Sequence, residues 1–245
     1  MSRPEKERLN DVRSNLATRE SMYINRVDFV EEAFEKVRKG RGWEKATRAY
    51  VAHTILKETF EDKMGVWRLM PRRSKRYAIV VSEVSLKEYL NRKKVNPCRM
   101  GEALGGMEAV RSKEVDFSVL KAGIVVGFSV HVVPVVRYQE HERDAFNESE
   151  FSTRQEAYTE WVKDQFTEMG IGIIGGCNLD YFTEETMARR NHGKRREFVR
   201  FSRPVAEISG EAQVQDPKAF EAGFVKGMGR HRSFGYGMVS LSVGT

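Results

Sequence analysis

The order of apolar patterns along this 245-residue chain predicts an α+β fold made of two β-α-β-β-α-β units in tandem, the ferredoxin-like arrangement, finished by a glycine-rich loop and a last strand. Three observations support it. Strand-like and helix-like segments alternate in that order, the 40% hydrophobic content is enough for one large core or two small ones, and near the carboxyl end four glycines in "GMGRHRSFGYGMVSL", Gly227 to Leu241, separate a helix-like segment from a strand-like one.

The first unit opens with "MYINRVDFV", which alternates like a strand. The segment Trp43 to Phe60, "WEKATRAYVAHTILKETF", places Ala49, Ala52, Leu56 and Phe60 at helical spacing and reads as an amphipathic helix. "GVWRLM" and "RYAIVVSEV" then read as two strands joined by the basic turn "PRRSKR". A short helix is expected near "SLKEYLN", followed by a partly irregular connection through "VNPCRMGEALGGMEAV"; the strand-rich run "GIVVGFSVHVVPVVRY" is expected to close the unit. The second unit is expected to run through helix "TRQEAYTEWVKDQFTEMG", strand "IGIIGGCNLDYF", basic turn "ARRNHGKRRE", strand "FVRFSRPVAEISGEAQV", helix "DPKAFEAGFVKG" and the final "MVSLSV". This divides the chain into an extension over 1–21, a first domain over 22–138, an acidic linker over 139–150 and a second domain over 151–245.

Charge is unevenly spread. The net charge is +7, yet Gln139 to Met169 carries nine acidic against three basic residues, a net −6, so the remainder bears +13 in clusters. That is the footprint of a protein that binds nucleic acid, although a solvated basic surface has the same composition. Cys98 and Cys177 are far apart and lack metal-ligand spacing, so neither a zinc site nor a disulfide framework is expected, and no metal or cofactor is called for. No apolar run is long enough to span a bilayer, and "MSRPEKERLNDVR" lacks the apolar core of a signal peptide. A soluble, cytoplasmic protein is expected.

The glycine-rich stretch fits neither common phosphate-binding motif. It lacks G-x-x-x-x-G-K-[ST], and its glycines follow a helix instead of opening one. Arg230, His231 and Arg232 between them still favour an anionic partner.

The run from "RQEAYTEWV" through "GMGRHRSFGYGMVSLS" resembles the carboxyl-terminal half of CRISPR RNA-processing endoribonucleases of the CasE subfamily, within the RAMP superfamily. The family's G-h-G-x-x-x-x-F-G-h-G loop is matched by Gly227, Gly229, Phe234, Gly235 and Gly237. "FSVHVVPVVR" resembles the strand that closes the first half, and "YVAHTILKETF" the helix that carries the catalytic histidine. The extension ahead of Met22 and residues 92–122 depart from the pattern, which leaves open whether the system is type I-E or a type IV relative. The resemblance implies metal-independent cleavage of CRISPR repeat hairpins in precursor RNA, leaving a 2′,3′-cyclic phosphate and a 5′-hydroxyl. It also implies retention of the hairpin as a subunit of an effector complex with other Cas proteins. The alternative is an inactive RAMP subunit that binds or caps CRISPR RNA as a scaffold; a general RNA-binding ferredoxin-like module fits less well, because "RYAIVVSEV" lacks its aromatic signature.

Under this resemblance His53 and Tyr50 are the catalytic candidates. They are three residues apart on the Trp43 to Phe60 helix, so they project from neighbouring positions. An imidazole titrates near neutrality and serves as acid or base, while a phenol is suited to orienting the ribose 2′-OH. From pattern alone His53, beside an apolar stripe, reads first as a structural histidine, and it is the match to the family's catalytic position that reverses this. His231 is a secondary candidate; His131 reads as structural, His141 lies in the acidic segment and His192 in the basic turn. Candidate RNA contacts are Lys36, Arg38, Lys39 and Arg41 before the helix, and Arg72, Arg73, Lys75 and Arg76 in the first basic turn. Arg189, Arg190, Lys194, Arg195, Arg196 and Arg200 form a second cluster, and Gly227, Gly229, Arg230, Arg232, Gly235 and Gly237 are expected to cradle RNA in the loop.

Overall fold

The computed structural model describes residues 21–70, 77–83, 85–87, 110–139, 141–190 and 197–243. The expected extension, the turn holding Arg72, Arg73, Lys75 and Arg76, most of "SLKEYLN", Cys98, and the tip holding His192, Lys194, Arg195 and Arg196 lie outside the described residues.

The first sheet has the order β2-β3-β1-β4, built from β1 (Met22–Asp28), β2 (Met64–Met70), β3 (Tyr77–Ser82) and β4 (Val110–Val115), all neighbours antiparallel. Helix α1 (Glu31–Gly40) and helix α2 (Arg48–Phe60) connect β1 to β2. Helix α1 was hidden in what reads as a basic cluster: its first turn carries Glu31 and Glu32, its last turn Arg38 and Lys39, matching the helix dipole, and Phe34 is its buried anchor. Helix α2 starts five residues later than expected, where the Thr47 hydroxyl accepts the Tyr50 N–H. Its buried stripe, Val51, Ala52, Ile55, Leu56, Thr59 and Phe60, faces the sheet and packs on Val27, Trp67, Ala78 and Val80.

The second sheet has the order β10-β5-β9-β8, built from β5 (Val125–Val132), β8 (Ile171–Arg190), β9 (Phe198–Val214) and β10 (Val239–Val243), again antiparallel throughout. Helix α3 (Arg154–Glu168) and helix α4 (Pro217–Lys226) complete this unit. Helix α3 begins with a Thr153–Glu156 capping box, and α4 with Asp216 as cap followed by Pro217. Both sheets therefore have the ferredoxin-like strand order, each with its own β-α-β-β pattern.

The structure corrects the sequence reading in two places. "GIVVGFSVHVVPVVRY" does not close the first unit: β5 lies between β9 and β10 and opens the second, while β4 closes the first. The physical reason is that β4, "VRSKEV", pairs on one side only and carries edge-strand charges, so it lacks the apolar alternation of an internal strand. The acidic segment 139–150 is not a linker between domains either. It holds β7 (His141–Asp144), which pairs with β6 (Val135–Tyr138) as a hairpin inserted in the second unit. In addition, β8 runs eight residues past the expected Phe182, because residues 183–190 pair with 198–205 as a two-stranded ribbon whose polar faces hid it.

Two contacts hold the architecture together. Within the first sheet Asn25, fully buried on the central β1, donates to Ser82 Oγ at 2.8 Å and accepts from Leu86 N–H at 3.0 Å and Ser112 Oγ at 2.6 Å, tying β1 to both its neighbours. Within the second unit, the glycine loop crosses over itself and is tied to β5. Met228 N–H donates to the Gly237 carbonyl at 2.8 Å, and Gly237 N–H donates to the His131 carbonyl at 2.8 Å. Gly237 has φ +82°, and a Cβ there would lie 2.0 Å from the Met228 carbonyl oxygen, so no other residue fits.

Asn25→Ala strands at least one buried donor and is expected to lower unfolding free energy in urea by about 3 kcal/mol; a change under about 0.5 kcal/mol would contradict the clamp. Gly237→Ala is expected to cost more than about 3 kcal/mol, whereas Gly42→Ala, at φ +67° with open space around it, costs only the left-handed strain of about 1–2 kcal/mol. Equal costs in the same denaturation experiment would show that crowding at the loop crossing is unimportant.

Candidate functional site

Tyr50 and His53 emerge on the α2 face next to its buried stripe, both half-buried. The His53 ring stacks on Trp67 of β2, with centroids 6.1 Å apart and an interplanar angle of 21°. Trp67 is itself only 1% exposed. On the indole's other neighbours, a Cβ at Gly235 would meet the ring at 3.3 Å, so the loop of the second unit lies directly against it. Burial of the imidazole, with Lys57 one turn further on, holds the His53 pKa below its ordinary value. His53 Nδ1 is buried without a hydrogen-bond partner.

Tyr50 sits between two aromatic edges: Trp43 at 5.6 Å and Phe198 at 5.3 Å, both T-shaped. Phe198 starts β9, so the basic ribbon of the second unit lies beside the amino-terminal end of α2. Arg200 extends this contact by donating to the Lys45 carbonyl at 3.5 Å. A third apolar cluster joins Ala49 and Tyr50 to Phe234 and Tyr236 of the glycine loop and to Val133 and Val205. The turn Arg232–Phe234 packs on both α2 and β2. The chemistry-bearing helix, the ribbon and the loop are thus brought to one place.

His231 is differently engaged. It adopts φ +59°, and its Nε2 lies 2.7 Å from Glu142 Oε2 on the β6–β7 hairpin. Burial lowers its pKa, partly offset by that carboxylate. His131 lies 5.0 Å from the Tyr236 ring, its pKa lowered first by burial and then by Arg68, while Tyr236 donates to Glu185 Oε2 at 2.7 Å.

The expected cationic residues divide by partner. Lys36 and Lys39 are exposed on α1, while Arg38 pairs with Glu35 at 2.7 Å and Arg41 with Glu58 at 2.8 Å. Such half-exposed pairs are weak and exchange readily for a phosphate. Arg189, Arg190 and Arg200 are exposed on the ribbon. In the glycine loop the expectation changes: Gly235 and Gly237 are buried under protein atoms, and Arg232 donates to the Lys226 carbonyl at 2.9 Å, closing the end of α4. Arg230 donates to Glu142. These glycines pack the units together and do not present backbone to a ligand.

Sequence reasoning overlooked Trp67, Arg68 and Glu142. Arg68, on the opposite face of β2 from Trp67, bonds Glu207 of β9 at 3.1 Å, an ion pair between the units. Nothing in "GVWRLM" or in the acidic run singled them out, because their partners are contributed by distant strands.

Among the described residues no helix is long and apolar enough to cross a membrane. The fold matches CRISPR endoribonuclease Cse3 bound to a 19-nucleotide RNA, with TM-score 0.65 and 16% identity over 91% of this chain and 99% of that one. It also matches Thermus thermophilus Cse3 bound to an RNA representing a pre-cleavage complex, with TM-score 0.60 and 16% identity over 91% of this chain and 99% of that one. A chain of a CRISPR RNA-guided surveillance complex is similar as well, with TM-score 0.58 and 17% identity over 91% of this chain and 99% of that one. A comparison with curated proteins finds no match. A family described as CRISPR associated protein matches residues 22–242, almost the whole described chain, and the tandem ferredoxin-like fold agrees with the CasE resemblance: the chain belongs to this CRISPR-associated family.

Proposed function

We propose that this protein is an endoribonuclease that cuts CRISPR repeat hairpins in precursor RNA, with Tyr50 and His53 at the cleavage point. The observation that carries the reading is the half-buried His53 imidazole, held neutral against Trp67 beside Tyr50 and a basic ribbon. That the proteins of like fold include an endoribonuclease bound to RNA supports it.

In the proposed reaction the neutral imidazole accepts the ribose 2′-OH proton as that oxygen attacks the adjacent phosphorus. The bond to the 5′-oxygen breaks, and that oxygen takes a proton from water, leaving a 2′,3′-cyclic phosphate and a 5′-hydroxyl, while the imidazolium returns its proton to solvent. The Tyr50 hydroxyl orients the attacking 2′-OH. Exposed cations at Arg189, Arg190, Arg200, Lys36 and Lys39 hold the flanking phosphates. No metal ion takes part in these steps. The product hairpin stays bound, and the protein acts in the cytoplasm as a subunit with other Cas proteins; the fold match to a surveillance-complex chain supports that association.

The test is a labelled repeat hairpin incubated in EDTA. Wild type is expected to cleave, His53→Ala to lose at least about 100-fold in rate, and Tyr50→Phe to lose about tenfold with binding retained. Full cleavage by His53→Ala would remove the assigned base, and binding without cleavage by wild type would favour the inactive scaffold. The pH dependence has a definite sign. A base whose pKa is lowered stays neutral to below pH 6.5, so the single-turnover rate is expected to hold as pH falls to 6.5 and decline only beneath it. A rate that falls as pH rises through that region would assign His53 as the acid instead.

A further inference from the structure

The ribbon and the glycine loop enclose an open cleft of about 480 Å³ away from His53, with walls formed by Arg137, Arg189, Phe201, Arg203, Arg230 and His231. Four guanidiniums face a single carboxylate, Glu142. Burial disfavours that carboxylate's charge, but His231, Arg230 and Arg203 outweigh it and hold the carboxyl at about 2. Arg203 and Arg230 are therefore spent on Glu142, with Arg203 Nε at 3.1 Å. Arg137 and Arg189 are not. Arg137 Nε donates only to the Gln139 carbonyl, at 2.9 Å, and the Arg189 guanidinium lies 5.8 Å from the Phe201 ring; among the described residues neither meets a carboxylate.

Phe201 provides the apolar floor. Its ring packs against His231 at 5.6 Å and Phe234 at 5.9 Å, the Arg203 guanidinium lies 4.9 Å from its centroid, and Val199, two residues back on the same face of β9, is 43% exposed. Phe234 in turn belongs to the cluster that contains Tyr50, so one ring separates this cleft from the candidate catalytic helix. A concave site with an aromatic floor and two unpaired guanidiniums suits a base joined to a phosphate. Paired bases in a stem have both faces covered by stacking and cannot lie on Phe201, whereas an unpaired base can.

We propose that this cleft binds one unpaired nucleotide of an RNA strand, its base against Phe201 and its phosphate between Arg137 and Arg189. This rests on the RNA-binding reading above and adds to it a recognition element for the single-stranded segment that joins the hairpin.

The test compares equilibrium binding of the full-length protein to a blunt RNA hairpin and to the same hairpin carrying a short uridine tail at either end. In wild type the tail is expected to tighten binding about tenfold, and Phe201→Leu and Arg137→Gln are each expected to abolish that gain. Arg137→Gln should also lower the salt slope for the tailed hairpin by about one. Arg137 is exposed on the hairpin, so it carries the test if Phe201→Leu lowers the unfolding temperature. Hairpin binding with no gain from a tail, or a gain that survives both variants, would overturn the cleft and leave the cleavage reading standing. Failure of wild type to bind either RNA would overturn both.

Discussion

The arrangement depends on where the Trp67 indole is held. It is contributed by β2 of the first unit, almost wholly buried, covered by Gly235 from the second unit, and it forms the wall on which the His53 ring lies. The α2 stripe also meets Val27, Ala78 and Val80 of the first sheet, so the helix does not rest on that wall alone. Without the indole, His53 would lose part of the burial that lowers its pKa. A loop more than 170 residues beyond His53 in sequence thus packs on the indole against which His53 lies. This is a physical reason for small residues at a loop that shows no backbone to solvent at Gly235 and Gly237.

The acidic segment has a complementary role. Its β6–β7 hairpin folds back so that Glu142 gathers Arg203, Arg230 and His231, and Asp144 accepts from Tyr158 at 2.9 Å, anchoring the hairpin to α3. Burial and the Asp144 carboxylate push the Tyr158 phenol well above its usual range, so this bond keeps its proton at any working pH. Negative charge on Glu142 orders the loop and engages Arg203 of the ribbon, while Arg189 meets no carboxylate among the described residues. The local excess of acid in an otherwise basic chain therefore has a structural use.

Much of this was legible from local chemistry. Helix α2 announced itself by Ala52, Leu56 and Phe60 at helical spacing, and the glycine loop by its position between a helix and a final strand. What stayed hidden depended on context. Strand β4 is a charged edge, and residues 183–190 are mostly polar with only Met187 and Ala188 buried, so neither has the apolar alternation of a buried strand. Helix α1 had its signals, Phe34 and Val37 one turn apart between acidic and basic ends, but the cluster of Lys and Arg drew the reading toward ligand binding. The most apolar run was placed in the wrong unit because strand order is decided by pairing, and β5 pairs with β9 and β10, far away in sequence. For the site, the Tyr50–His53 spacing was visible, whereas Trp67 and the contact between Tyr50 and Phe198 exist only once the two units meet.

The central claim is that His53, lying on the indole that the second unit's loop covers, is the base of the proposed cleavage. Titration of the protein's histidines by nuclear magnetic resonance, alone and with a repeat hairpin bound, tests it most directly. The account predicts that His53 titrates below 6.5 in the free protein, returns toward 6.5 when Trp67→Leu removes the stack, and shifts on addition of RNA. A His53 signal that titrates at or above 6.5 in the free protein and does not move when RNA binds would contradict it.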